Sequence, residues 1–180
     1  IFLDLKLHDI PNTVGAAMRS LCAGITPTYI TVHASGGCDM IRAARDNAPV
    51  TVKVLAVTVL TSLDAAALKA VGQDSDYQAQ AVRLGKLAQA SAADGIVCAA
   101  PELATMRNAL GNDFVCMVPG IRPASAGHDD QKRISTPAAA IQAGASHLVI
   151  GRPITRADDP DSALSAICRE IEEAANAATG

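Results

Sequence analysis

The densest chemistry in this sequence lies near its start, in Leu3-Asp4-Leu5-Lys6-Leu7-His8-Asp9-Ile10-Pro11-Asn12-Thr13. Asp4 and Lys6 sit two apart in an apolar run, and on a strand that spacing sends both side chains to one face. Taking a carboxylate and an ammonium out of water is expensive unless the two are paired. The pair therefore has two readings: a plain ion pair at a strand end, or charges held together for catalysis. Asp9 falls in the loop beyond, close to Pro11, where an aspartate on its own is more often a turn or capping residue than a catalyst.

A second concentration is Val149-Ile150-Gly151-Arg152-Pro153-Ile154-Thr155, an apolar run that enters Gly-Arg and then a short helical stretch. Gly151 would let backbone N–H groups approach a phosphate, and Arg152 can clamp one bidentately. A turn glycine followed by a solvated arginine is the alternative. Between the two regions, Val118-Pro119-Gly120-Ile121-Arg122-Pro123 opens a polar loop that runs through Arg133. Loops of this length in compact domains are often lids or binding loops, which makes Arg122 and Gln131 candidates for gripping a ligand. The alternative is a surface loop, where Gly127, His128, Asp129 and Asp130 are ordinary. Thr61 and Ser62 follow another apolar run and can offer hydroxyls to a polar ligand, although Ser62 or Asp64 serves equally well to cap the next helix. His8, His33, His128 and His147 show no metal-ligand spacing. Neither a nucleophile elbow, a Walker loop nor a G-x-G-x-x-G is present, so metal and nucleotide-cofactor chemistry are not expected.

These residues need a scaffold, and the pattern around them supplies one. Short apolar runs at Ile1 to Leu5, Tyr29 to His33, Val52 to Val59, Gly95 to Cys98, Phe114 to Val118 and His147 to Ile150 alternate with Ala-rich segments of helical period. That alternation predicts βα units on a parallel sheet, with most strands apolar on both faces. Val14, Ala17, Met18, Leu21 and Cys22 mark one helix face before Gly24. Thr136, Pro137 and Gly144 bracket another helix as N-cap, first residue and C′ residue. Asp159 and Pro160 open the last helix, whose stripe of Leu164, Ile167, Cys168 and Ile171 should dock on the sheet and whose Ala-rich end should fray. No linker divides the six strands, so residues 1–180 read as one domain. A closed barrel wants eight strands and about 250 residues, which leaves either a smaller open sheet or two βα units preceding Ile1.

Composition bounds the partners. With 49% hydrophobic and 18% charged residues, the 180-residue chain is globular. Two Phe, two Tyr and no Trp, together with a net charge of −3, argue against nucleic acid or an acidic membrane as partner. No stretch approaches a membrane span and no signal peptide is visible. Cys22, Cys38, Cys98, Cys116 and Cys168 are odd in number and widely spaced, which reads as reduced, mostly buried thiols in a cytoplasmic protein.

Taken together, Asp4 through Thr13, Val32-His33-Ala34-Ser35-Gly36-Gly37, Val57-Thr58-Val59-Leu60-Thr61-Ser62, the Pro119 to Pro123 segment and the Ile150 to Thr155 segment resemble the bacterial-type orotidine 5′-phosphate decarboxylases. The D-x-K-x-x-D core is shared with related sugar-phosphate enzymes, whereas H-D-I-P-N-T after it is specific to the orotidylate enzymes. The resemblance implies a (β/α)8 TIM barrel of which this chain covers about strands 3 to 8. It further implies conversion of orotidine 5′-phosphate to uridine 5′-phosphate in pyrimidine biosynthesis, without metal or organic cofactor. Lys6 would be the proton donor, Asp4 its holder, and Asp9 a residue that reaches into the partner's site across a homodimer. Thr13 would lie by the ribose, Thr61 by the pyrimidine, and Arg122, Gln131, Gly151 and Arg152 at the phosphate end. A ribose-binding Asp and a first catalytic Lys would stand on the two preceding strands. The rivals are a magnesium-dependent sugar-phosphate decarboxylase or synthase, and a non-catalytic phosphate-binding fragment or pseudoenzyme.

Overall fold

The computed structural model describes residues 1–73, 75–123 and 135–179, without the side chains of the last two of these. Six parallel strands lie in sequential order: β1 (Phe2–Leu7), β2 (Tyr29–His33), β3 (Lys53–Val57), β4 (Gly95–Val97), β5 (Val115–Val118) and β6 (His147–Leu148). The connecting helices are α1 (Pro11–Gly24), α2 (Cys38–Asp46), α3 (Ala65–Ala70), α4 (Tyr77–Ala90), α5 (Leu103–Leu110), α6 (Pro137–Gln142), α7 (Arg152–Thr155) and α8 (Pro160–Thr179). This is the βα alternation that the sequence predicts. The sheet is curled: Tyr29 on β2 meets His147 on β6, with its hydroxyl 3.1 Å from Nε2, although three strands lie between them. The architecture is that of a (β/α)8 barrel, with six βα units present and β1 and β6 as its two edges.

Strict alternation divides the strand residues between two cores. Ile30, Val32, Val54, Ala56, Ile96, Cys116 and Val118 face outward and join helix residues such as Val14, Met18, Met40, Leu68 and Met106 in the larger core. Leu55, Val57, Val97 and Met117 face inward, backed by Phe2, Tyr29, Val115 and Val149. Helix starts follow from the residues before them. Asp64 accepts the Ala67 N–H at 2.9 Å, Asp76 accepts from Gln78 and Ala79, and Thr136 accepts from Ala139 at 3.2 Å. Each satisfies donors that an unfinished first turn leaves orphaned.

Two arginines hold the N-terminal ends of the strands. Arg45 binds Asp94 at 2.8 Å and the carbonyls of Ala48, Pro49 and Val52, while the same Asp94 oxygen accepts the Val54 N–H at 2.8 Å. Arg107 spreads its guanidinium over the carbonyls of Gly111, Asn112, Phe114 and Gly144 and the Ser146 hydroxyl. Five donors in a fixed fork suit arginine to loop carbonyls with no ladder partner.

Three expectations change. The last helix packs on α6 and α7 rather than on the sheet. Its buried positions are Ile167 and Ala174, flanked by the half-buried Ala163, Glu170 and Ile171, whereas Leu164 is 46% exposed and Cys168 also exposed; the face toward α6 is fixed by Glu170, which accepts the Ala138 N–H at 3.0 Å. The five cysteines are all free, but only Cys98 and Cys116 are buried. The Ala-rich end expected to fray is helical through Thr179, whereas residues 124–134 of the loop after Pro123, Gln131 included, lie outside the described residues.

Gly95 opens β4 opposite Val115 of β5. A Cβ there would stand 2.4 Å from the Val115 carbonyl oxygen and 2.5 Å from the Val115 Cβ. Gly95→Ala should therefore destabilise the fold by about 1–3 kcal/mol through overpacking. Chemical denaturation checks this, and a midpoint equal to the parent's would count against the tight β4–β5 contact.

Candidate active site

Parallel strands deliver their C-terminal ends to one face of the sheet, and chemistry in such folds is built there. A cleft of about 230 Å³ opens at that face, lined by Phe2, Asp4 and Lys6 of β1, Val57, Val59, Leu60 and Thr61 around the end of β3, Val97 and Cys98 at β4, Pro119 after β5 and Val149 after β6. Its walls are mostly aliphatic. Asp4 and Lys6 supply its charge, with Lys6 Nζ 2.5 Å from Asp4 Oδ2. Their side chains are 39% and 37% exposed respectively, so the pair is reachable from solvent. An ion pair so exposed contributes little to stability.

The backbone beneath the pair is irregular. Leu3 pairs with Ile30 and Leu7 with Val32, so four steps along β1 match only two along β2. The surplus is even, which keeps Asp4 and Lys6 on the inner face, as simple alternation predicts. However, the route between them is a bulge, and Lys6 takes φ = 53°. A non-glycine residue in the left-handed region costs about 1–3 kcal/mol and persists only where its surroundings enforce it. Here Thr31 does so: its hydroxyl accepts the Lys6 N–H at 2.9 Å and donates to Asp4 Oδ1 at 2.9 Å.

His8 and His33 stand beside this network with ring centroids 5.3 Å apart. Burial, then the neighbouring His8 and Lys6, lower the His33 pKa from its ordinary 6.5, against an opposing pull from Asp4. Cys98, on the cleft wall, is not a nucleophile in waiting. Its contact with Cys116 and its burial hold the thiol well above its usual range, and therefore protonated.

Other expected site residues lie apart from the cleft. Asp9 is exposed and accepts the Ile10 N–H at 2.7 Å, and Thr13 is exposed on the first turn of α1. Arg122 is 8% exposed and donates to the Ile121 carbonyl at 3.1 Å, while its backbone N–H bonds Ser135. Gly151 precedes the short α7 with nothing within 4 Å of a Cβ position, leaving open space next to Arg152. Ser62 and Asp64 resolve in favour of Asp64 as the α3 cap. The sequence reading did not single out Thr31, the inner-face His33, or the aliphatic lining. One signal was present: a hydroxyl in the middle of the apolar run from Tyr29 to His33 needs a partner when buried.

The sequence model of the "Orotidine 5'-phosphate decarboxylase / HUMPS family" matches residues 1–167. The chain is 52% identical to an orotidine 5′-phosphate decarboxylase of Thermobifida fusca over 173 residues, covering 96% of this chain and 73% of that protein. It is 50% identical to that of Gluconobacter oxydans over 181 residues, covering 97% and 76%. Among solved structures, the orotidine 5′-phosphate decarboxylase of Lactobacillus acidophilus superposes with a TM-score of 0.81 at 41% identity, covering 95% of this chain and 75% of that one. A conserved protein of Geobacillus kaustophilus, described as uncharacterized, superposes at 0.78 with 34% identity, covering 94% and 75%.

The His33 environment has a consequence for stability. Because its native pKa lies below the unfolded value, the unfolded chain binds the proton more readily, and stability falls as pH drops through 6.5 toward the lowered native value. Above 6.5 both states are neutral and the effect vanishes. In denaturation midpoints measured from pH 7.5 to 5, His33→Gln should show a shallower loss than the parent. Identical slopes would mean that His33 is not held neutral.

Proposed function

This chain belongs to the orotidine 5′-phosphate decarboxylase / HUMPS family, and from that premise we propose that it converts orotidine 5′-phosphate to uridine 5′-phosphate and carbon dioxide in pyrimidine biosynthesis, with Lys6 as proton donor. One observation carries this reading: an ammonium and a carboxylate paired at 2.5 Å in an aliphatic cleft at the C-terminal ends of the strands.

The geometry suits the chemistry. Breaking the bond from the pyrimidine C6 to its carboxylate releases carbon dioxide and leaves the electron pair on C6. No conjugated group takes up that charge, so a cation placed beside it before the bond breaks lowers the barrier. Lys6 Nζ is such a cation, and passing its proton to C6 completes the product and leaves a neutral amine to be reprotonated from water. With substrate filling the cleft, the apolar walls from Phe2, Val57, Val59, Val97 and Val149 leave little room for water, which strengthens the attraction. Asp4 fixes the ammonium and lies where the departing carboxylate would stand. Thr61 on the cleft rim suits the pyrimidine, while Gly151 and Arg152, beyond β6, suit the phosphate together with Arg122 and Gln131. Thr13 is assigned to the ribose.

The reading extends to assembly. Asp9 and Ile10 stand exposed in the loop that follows β1, Ile10 at 65%. A large apolar side chain in water beside a charged one favours a homodimer in which Asp9 completes the partner's site. Five free cysteines suit a cytoplasmic setting. Among the described residues no helix is long and apolar enough to cross a membrane, and the net charge of −3 gives no reason to expect a nucleic-acid partner.

Lys6→Ala should cost at least about 10³-fold in kcat, since it removes proton donor and cation together. Arg152→Ala should chiefly raise KM and weaken uridine 5′-phosphate binding in calorimetry. Near-parental turnover in the first variant, or unaltered binding in the second, would refute the corresponding role, and activity abolished by a chelator would favour a metal-dependent relative's chemistry instead. Mixing inactive Asp9→Asn with inactive Lys6→Ala protein should restore part of the activity, because a mixed dimer assembles one site with both residues intact. Continued inactivity after demonstrated subunit exchange would rule out the shared site.

A further inference from the structure

We infer that Thr31 is a positioning residue for the reaction: its hydroxyl braces both the carboxylate of Asp4 and the backbone of Lys6, and so sets where the Lys6 ammonium stands. The inference rests on the reading of Lys6 as proton donor and goes beyond it.

The bulge makes a partner necessary. Between the pairs Leu3–Ile30 and Leu7–Val32, the residues Asp4, Leu5 and Lys6 oppose Thr31 alone, so β2 lacks backbone acceptors for every N–H of β1. Thr31 makes up the deficit with its side chain, taking the Lys6 N–H at 2.9 Å. A hydroxyl has a single proton, and with its lone pair engaged by that N–H the proton goes to Asp4 Oδ1, 2.9 Å away. Asp4 is thus held through both oxygens, Oδ1 by Thr31 and Oδ2 by the Lys6 ammonium. One residue, fully buried and anchored in the middle of β2 between β1 and β3, fixes both ends of the charge pair. It also holds Lys6 in its left-handed conformation, which nothing in the local sequence favours.

Thr31 does not line the cleft. It therefore acts on the reaction only through Asp4 and Lys6, and its loss should be felt in the chemical step more than in substrate binding. Valine matches threonine in shape but lacks the hydroxyl, so Thr31→Val orphans the Lys6 N–H and frees one Asp4 oxygen. A displacement of about 1 Å at a reacting group can cost up to 10²-fold, and the expected loss in kcat is about 10–100-fold with little change in KM.

The test is steady-state decarboxylation of orotidine 5′-phosphate by the Thr31→Val, Thr31→Ser, Thr31→Ala and Lys6→Ala variants, each with its thermal unfolding recorded. Support is a kcat deficit in Thr31→Val at near-parental KM and unfolding temperature, with Thr31→Ser largely restored. Should the valine variant fail to fold, the serine and alanine variants, which differ only by the hydroxyl, make the same comparison. Parental kcat in a folded Thr31→Val or Thr31→Ala protein overturns the inference. So does a deficit that serine does not repair, which marks a packing role only. Normal turnover by Lys6→Ala would instead defeat the underlying function, an outcome distinct from a failure confined to Thr31.

Discussion

Opposite charges held 2.5 Å apart on the inner face of an otherwise aliphatic sheet are the constraint around which this protein is arranged. Because the pair is more than a third exposed, burial does not fix it, and its geometry requires hydrogen bonds that hold both partners. The bulge in β1, the left-handed Lys6 and the buried Thr31 hydroxyl all serve that requirement. The same cation helps keep His33 neutral, since a second positive charge next to Lys6 is unfavourable.

The two ends of the sheet divide the work. At the C-terminal end stand the exposed charge pair, the strained residue and the cleft, none of which contributes much stability. At the N-terminal end, Arg45 with Asp94 and Arg107 with its ring of carbonyls tie loops to strands through short hydrogen bonds. Such a division lets side chains around the cleft change without loss of the fold, as is general for parallel α/β architectures.

The cleft also explains why electrostatics rather than nucleophilic chemistry is available here. Its one thiol, Cys98, is held protonated by burial and by Cys116. What remains is a positioned cation, a carboxylate and a hydroxyl-bearing rim at Thr61. That set can stabilise and protonate a carbanion, and it needs substrate held precisely by contacts remote from the reacting carbon.

The linear sequence by itself determined the six βα units, the inner-face placement of Asp4 and Lys6, the cap at Thr136, and the family, because these depend on short-range periodicity, local capping chemistry and contiguous motifs. Only the tertiary structure decided the rest. Whether β1 pairs regularly or bulges depends on what β2 offers opposite it, so the left-handed Lys6 and the bracing by Thr31, 25 residues away, could not be read from either segment alone. The last helix illustrates the same limit: its period predicted a buried stripe, but its partner proved to be α6, which moved Leu164 and Cys168 into solvent. Periodicity states that a face will be buried, whereas long-range packing chooses against what, and how tightly.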